Sequence, residues 1–161
     1  MNTGERERFA RVVAANRYLV LGTTDADGRP WLSPVFFAPL GDDRLCWVSS
    51  ADSRHSRNLA ERPEIAITVF DSTVAVGHAE AAYVEAAAAP APAAETSAVL
   101  AALNARLPED RSLAPDDLVP AGPLTAYIAR IDRRYVLVRG GDPERGNVLD
   151  TTVELGAEDA R

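Results

Sequence analysis

A chain of 161 residues, 47% of them hydrophobic, is expected to form one domain over 1–161 that buries about 70% of the surface its unfolded form exposes. The formal net charge of −7 argues against nucleic acid as a partner, since binding a phosphate backbone needs a broad basic face. No apolar run approaches the ~20 residues of a membrane span, residues 1–16 are charged rather than signal-like, and the one cysteine, Cys46, offers no disulfide framework. A soluble cytoplasmic protein is the expectation.

Residues 5–15 place Phe9, Val12 and Val13 at helical spacing and predict an N-terminal helix. Residues 18–24 read as a strand. Asp25-Ala26-Asp27-Gly28 then forms a four-residue hairpin loop that Gly28 closes with a positive φ. The second strand spans 30–38, and Pro34 within it signals an edge or a bulge. Asp42 and Asp43 turn the chain into a third strand at 44–50. Ser53 is an N-cap for a short helix that Pro63 stops, and a fourth strand follows at 65–71.

A fifth strand is predicted over 74–85. Residues 86–94 (AAAAPAPAA) are low-complexity and read as a semi-rigid linker, opening an excursion over 86–122. That excursion holds a helix near 96–106 and a proline-punctuated loop with one helical turn at 116–118. Residues 124–131 and 135–139 read as a closing hairpin. A polar tail over 140–161 carries a candidate last strand at 151–155 and a frayed acidic end. Short strands at regular spacing indicate a mainly β (α+β) fold, a six- or seven-stranded antiparallel barrel with flanking helices.

The helix start Ser53-Arg54-His55-Ser56-Arg57-Asn58 is anomalous. A helix N-terminus carries partial positive charge and favours Asp or Glu in its first turn, yet this one presents two arginines and a histidine. Conflict between local preference and local charge tends to fall at functional sites. A bound phosphate resolves it, because free backbone N–H groups and guanidinium forks both suit an anion. The plainer reading turns the arginines to solvent or pairs them with Glu61, Glu64 and Asp71.

Residues 30–59 resemble the pyridoxamine 5′-phosphate oxidase-like, flavin-binding split barrels. That family pattern is a strand, Tyr-Thr-Asn, Ser-Arg-Lys, a helix and Asn-Pro. Without gaps, Val48-Ser49-Ser50 falls on the first triplet, Ser53-Arg54-His55 on the second, Arg62-Pro63 on the Asn-Pro and residues 65–70 on the next strand. The resemblance implies a homodimer that binds flavin mononucleotide (FMN), with the phosphate on the helix start and the flavin ring across the dimer interface. Ser49, Ser53, Arg54 and His55 are then the phosphate ligands. Arg57 and Asn58 match a basic-x-Arg-Asn-Leu variant of small actinobacterial-type members. The strand through Ser33, Val35 and Phe36 lies beneath the ring, mostly through backbone contacts.

Ser33 and Ala38 stand where the classical oxidase has Arg and Lys, and His55 replaces a Lys. The oxidase's C-terminal substrate elements have no match in 124–139, so pyridoxal phosphate synthesis is not implied. The function expected is a flavin-dependent oxidoreductase acting on a small-molecule substrate. The alternatives are a reductase using the 8-hydroxy-5-deazaflavin coenzyme, and a non-catalytic flavin, haem or small-ligand carrier. Trp31 and Trp47 are expected to pack rather than stack on a ring. His78 reads as a solvent-facing strand residue, with a proton donor near the flavin as the alternative. Two histidines and one cysteine at these spacings make no metal site.

Overall fold

The computed structural model describes residues 3–156. The elements are α1 (Thr3–Ala15), β1 (Tyr18–Thr24), β2 (Pro30–Phe36), β3 (Ala38–Pro39), β4 (Arg44–Ser50), α2 (Arg54–Glu61), β5 (Glu64–Phe70), β6 (Ala81–Pro90), α3 (Thr96–Asn104), β7 (Leu124–Val138) and β8 (Thr151–Leu155). All strands pair antiparallel in one sheet of order β2-β1-β5-β6-β7-β4-β3, with β8 beside β7.

The two ends of that order are consecutive in the chain. Phe36 lies opposite Tyr18 on β1, and two residues later Ala38 lies opposite Cys46 on β4. Phe37 is the bend, its N–H donating to the Arg17 carbonyl at 3.2 Å. Taken as one bent strand, β2 and β3 curl the sheet on itself and bring the count to seven, as expected for a split barrel. Pro34, which has no N–H to donate, sits at the β2 end of the sheet, where its loss to a ladder is tolerated.

Inward-facing Leu19, Leu21, Val35, Phe37, Trp47 and Ile67 fill the barrel. Trp47 stacks on Tyr127 with centroids 5.8 Å apart, so it is core, as expected. The two ends of the barrel are closed by helices. Val12 and Val13 of α1 join the core from one end, and Leu59 of α2 joins it from the other. Outside the barrel, Val99, Leu100 and Leu103 of α3 cover Ala38, Cys46 and Ile128. Burial raises the Cys46 thiol to about 11, which keeps it protonated.

Three segments differ from expectation. The fifth strand begins at Ala81, not 74, and residues 71–80 are turns; His78 is an exposed turn residue, its N–H donating to the Ala75 carbonyl. The alanine run is not a linker as far as Pro90. Ala86 and Ala88 are buried in β6, between β5 and β7. Alanine has little strand preference of its own, but pairing on both sides supplies what the side chain lacks. The closing hairpin is instead the single strand β7. Glu85 pairs Arg133 while Ala86 pairs Ile131, so Asp132 is the extra residue of a bulge. There β7 exchanges β4 for β8. The last strand is β8 as predicted, and the acidic end at 157–161 lies outside the described residues.

The Phe37 bend is pinned by Arg106, whose guanidinium lies 4.8 Å over the ring and donates to the Phe37 carbonyl at 3.0 Å. Phe37→Ala should therefore cost about 3–5 kcal/mol by urea denaturation; a cost under about 1 kcal/mol would mean the bend does not depend on this ring.

Candidate functional site

Ser53 has β-region backbone and its hydroxyl accepts the Ser56 N–H at 3.3 Å, the N-cap that starts α2. Its carbonyl takes the Arg57 N–H. The N–H groups of Arg54 and His55, in the first turn, have no acceptor within the helix.

This helix start faces the ends of β2 and β4, and His55 is the joint. Its Nε2 lies 2.9 Å from the Ser49 hydroxyl and 3.1 Å from that of Ser53, and its Nδ1 lies 3.2 Å from the Ser33 hydroxyl. Trp31 donates its indole N–H to the Ser33 hydroxyl at 3.0 Å, and Ser53 donates to Ser56 at 2.8 Å. Either imidazole tautomer satisfies these contacts. With the proton on Nε2, Ser33 donates to Nδ1, Nε2–H donates to Ser49 and Ser53, and the Ser49 O–H is left for a ligand. Burial holds the imidazole below its ordinary 6.5, so it is neutral near pH 7.

The two arginines do not take the pairings expected of a plain surface helix. Arg54 lies over the Trp31 ring, 4.1 Å from its centroid, and meets Asp25 at 3.7 Å. Arg57 donates to the Asp52 carbonyl. Neither is paired with Glu61, Glu64 or Asp71. Asp25 is held by its own loop, accepting the N–H groups of Asp27 and Arg29 at 3.0 and 2.9 Å. Asn58 is buried and donates to the Thr23 hydroxyl at 2.9 Å, tying α2 to β1.

Of the residues predicted from sequence, Ser33, Ser49, Ser53 and His55 converge on one point, with Arg54 and Arg57 at its rim. Val35 is a core side chain and Phe36 packs edge-on to Tyr18, so along this strand the backbone is what a ligand can reach beside Ser33. Ala38 is almost fully buried under α3, and this position carries no cation toward the site. Trp31 and Asp25 were not predicted as parts of it. Trp31 is half-exposed rather than packed, and serves as both a donor to Ser33 and a platform for Arg54. Asp25 sits in a hairpin loop whose turn chemistry alone explains it, so nothing local marked it.

The donor set is hydroxyls, an imidazole, first-turn amides and guanidinium groups. It suits a phosphate, and Asp25 is the only carboxylate within ion-pair range of Arg54 or Arg57 among the described residues.

Comparison with known proteins fixes the family. The family model described as pyridoxamine 5′-phosphate oxidase matches residues 6–120. The chain belongs to the pyridoxamine 5′-phosphate oxidase family. No curated protein matches it in sequence, whereas several solved structures share the family fold. A haem-binding protein from Mycobacterium smegmatis superposes with a TM-score of 0.66 at 20% identity, over 91% of this chain and 56% of that one. The haem storage protein HutZ from Vibrio cholerae gives 0.64 at 22% identity, over 78% and 89%. An FAD-binding protein from Mesorhizobium loti gives 0.60 at 16% identity, over 80% and 90%. At these identities the likeness is one of fold.

Burial of His55 in the folded chain favours its neutral form. Below pH 6.5 the unfolded chain takes up a proton that the folded chain refuses until pH reaches the lower folded value, so stability falls as pH drops through that window. Compared by urea denaturation between pH 7 and pH 5, wild type should lose more stability than His55→Asn. Equal losses would mean the folded imidazole titrates like a free one.

Proposed function

We propose that this family member is a flavin-dependent oxidoreductase that holds the FMN phosphate at the start of α2, in a homodimer. The observation that carries the proposal is the convergence of the Ser33, Ser49 and Ser53 hydroxyls on His55 beside the free first-turn amides. In this reading the Ser49 O–H and the Arg54 and His55 amides donate to phosphate oxygens, while the imidazole Nε2–H holds the Ser49 and Ser53 hydroxyls in place. Arg54 leaves Asp25 to meet the new charge, and Trp31 keeps its guanidinium within reach. Ser33 holds the imidazole in place from the other nitrogen. Bound flavin would supply the hydride or electron transfer, with the protein supplying binding and orientation.

Exposed apolar side chains support the dimer. Tyr18 is 62% exposed, Leu32 66% and Phe70 43%, all on the connected strands β1, β2 and β5. A second copy that covers them removes a face costly to leave in water. Sedimentation should give a dimer at micromolar concentration; a monomer would remove the second wall of the proposed flavin site.

The second reading, a carrier of haem or flavin without catalysis, is favoured by one feature. Ala38 is buried, so the phosphate lacks one cation that the classical oxidase provides. A deazaflavin coenzyme with a looser phosphate site fits the same deficit.

The visible spectrum separates these. Two flavin bands support the proposal, a Soret band supports the haem carrier, and a colourless protein that takes up no added FMN contradicts the flavoenzyme. Arg54→Ala should weaken FMN binding about ten- to a hundredfold with little change in melting temperature. Unchanged affinity with a lower melting temperature would make Arg54 a structural residue only.

A further inference from the structure

The end of the barrel opposite His55 contains a cavity of about 410 Å³ between α1, the β3–β4 turn and the strands β7 and β8. That volume lies in the ~300–1,000 Å³ range of small-molecule sites. It shares no lining residue with the His55 site: Arg44 and Leu45 line the cavity at one end of β4, and Ser49 lies at the other, roughly 16 Å along the strand.

The lining divides by chemistry. Phe9, Val13, Leu45, Ile131 and Leu155 make an apolar wall, and Arg6, Arg44 and Arg134 supply guanidinium groups, with Asp42 the one acidic lining residue among the described residues. The three arginines are not equally committed. Arg44 is paired with Glu95, which satisfies its charge. Arg6 donates to the Gly156 carbonyl at 2.8 Å. Arg134 donates to the Asp42 carbonyl at 2.6 Å and meets no carboxylate within ion-pair distance among the described residues. Asp42 itself is exposed. The half-buried Arg134 thus presents a full positive charge, held by a neutral acceptor, beside an apolar wall. An organic anion exchanges that neutral acceptor for a charge-assisted one, and its apolar body covers a wall that water can only wet poorly.

We propose that this cavity binds a small amphiphilic organic acid, a carboxylate on a short alkyl chain or ring, with the carboxylate on Arg134 and the apolar part against Phe9, Val13 and Ile131. The proposal does not depend on the flavin reading.

Isothermal titration of the full chain with octanoate, and with octanol as its neutral counterpart, tests it. Saturable one-to-one binding of octanoate is expected, with octanol at least tenfold weaker. Arg134→Ala should lower octanoate affinity roughly tenfold or more. Ala10→Trp, at an exposed α1 position that lines the cavity, should abolish binding by filling the space. Melting curves establish that both variants fold, and if Ala10→Trp does not, Arg134→Ala and the octanol comparison carry the test. Absence of saturable binding, equal affinity for acid and alcohol, or binding indifferent to either folded variant would overturn the proposal.

Discussion

The site depends on a single strand that serves two partners. Residues 30–39 pair first with β1 and then with β4, and the bend at Phe37 is where the partner changes. Because the ring is fully buried and its carbonyl is tied by Arg106, the bend is a packed feature rather than a loose joint. Its consequence is geometric. The strand is returned toward β4, so Ser33 and Ser49, separated by sixteen positions, both come within hydrogen-bond reach of one imidazole. Without closure the hydroxyls would belong to separate edges, and α2 would have no floor.

On that floor the electrostatics are unusual for a helix start. Two cations flank a neutral, half-buried histidine, and each is engaged by a weak or neutral partner: an aromatic face and a distant carboxylate for Arg54, a backbone carbonyl for Arg57. Exposed pairs of this kind contribute little to stability, typically about 0–1 kcal/mol. Their placement at a helix start is therefore better explained by what they can bind than by what they hold together. The opposite end of the barrel repeats the theme with a different wall, since there the guanidinium groups border apolar surface rather than hydroxyls.

Much of this was legible in the chain, and the failures share a cause. The N-cap at Ser53, the stop at Pro63, the Gly28 hairpin and the β4 strand all carry strong local signals, and the structure has them as read. The wrong-sign charge at 54–57, a local rule alone, singled out the segment on which the candidate site is built. What local rules cannot see is pairing on both sides. The alanine run enters β6 because β5 and β7 flank it, and Asp132 is a bulge because both halves of β7 have partners elsewhere. The buried bond from Asn58 to Thr23, which ties α2 to β1, is likewise a contact between distant segments that no local pattern announces. Trp31 carried the signal of packing but stands half-exposed under Arg54.

The proposed function seats a phosphate on the hydroxyl–imidazole cluster at the start of α2. Parallel titration of the purified protein with FMN and with riboflavin, followed by quenching of flavin fluorescence, tests it most directly, since the two ligands differ only in the phosphate. FMN should bind at least tenfold more tightly than riboflavin, the effect of one or more charge-assisted contacts. Equal affinities would place any flavin elsewhere and contradict the assignment of Ser33, Ser49, Ser53 and His55 as an anion site.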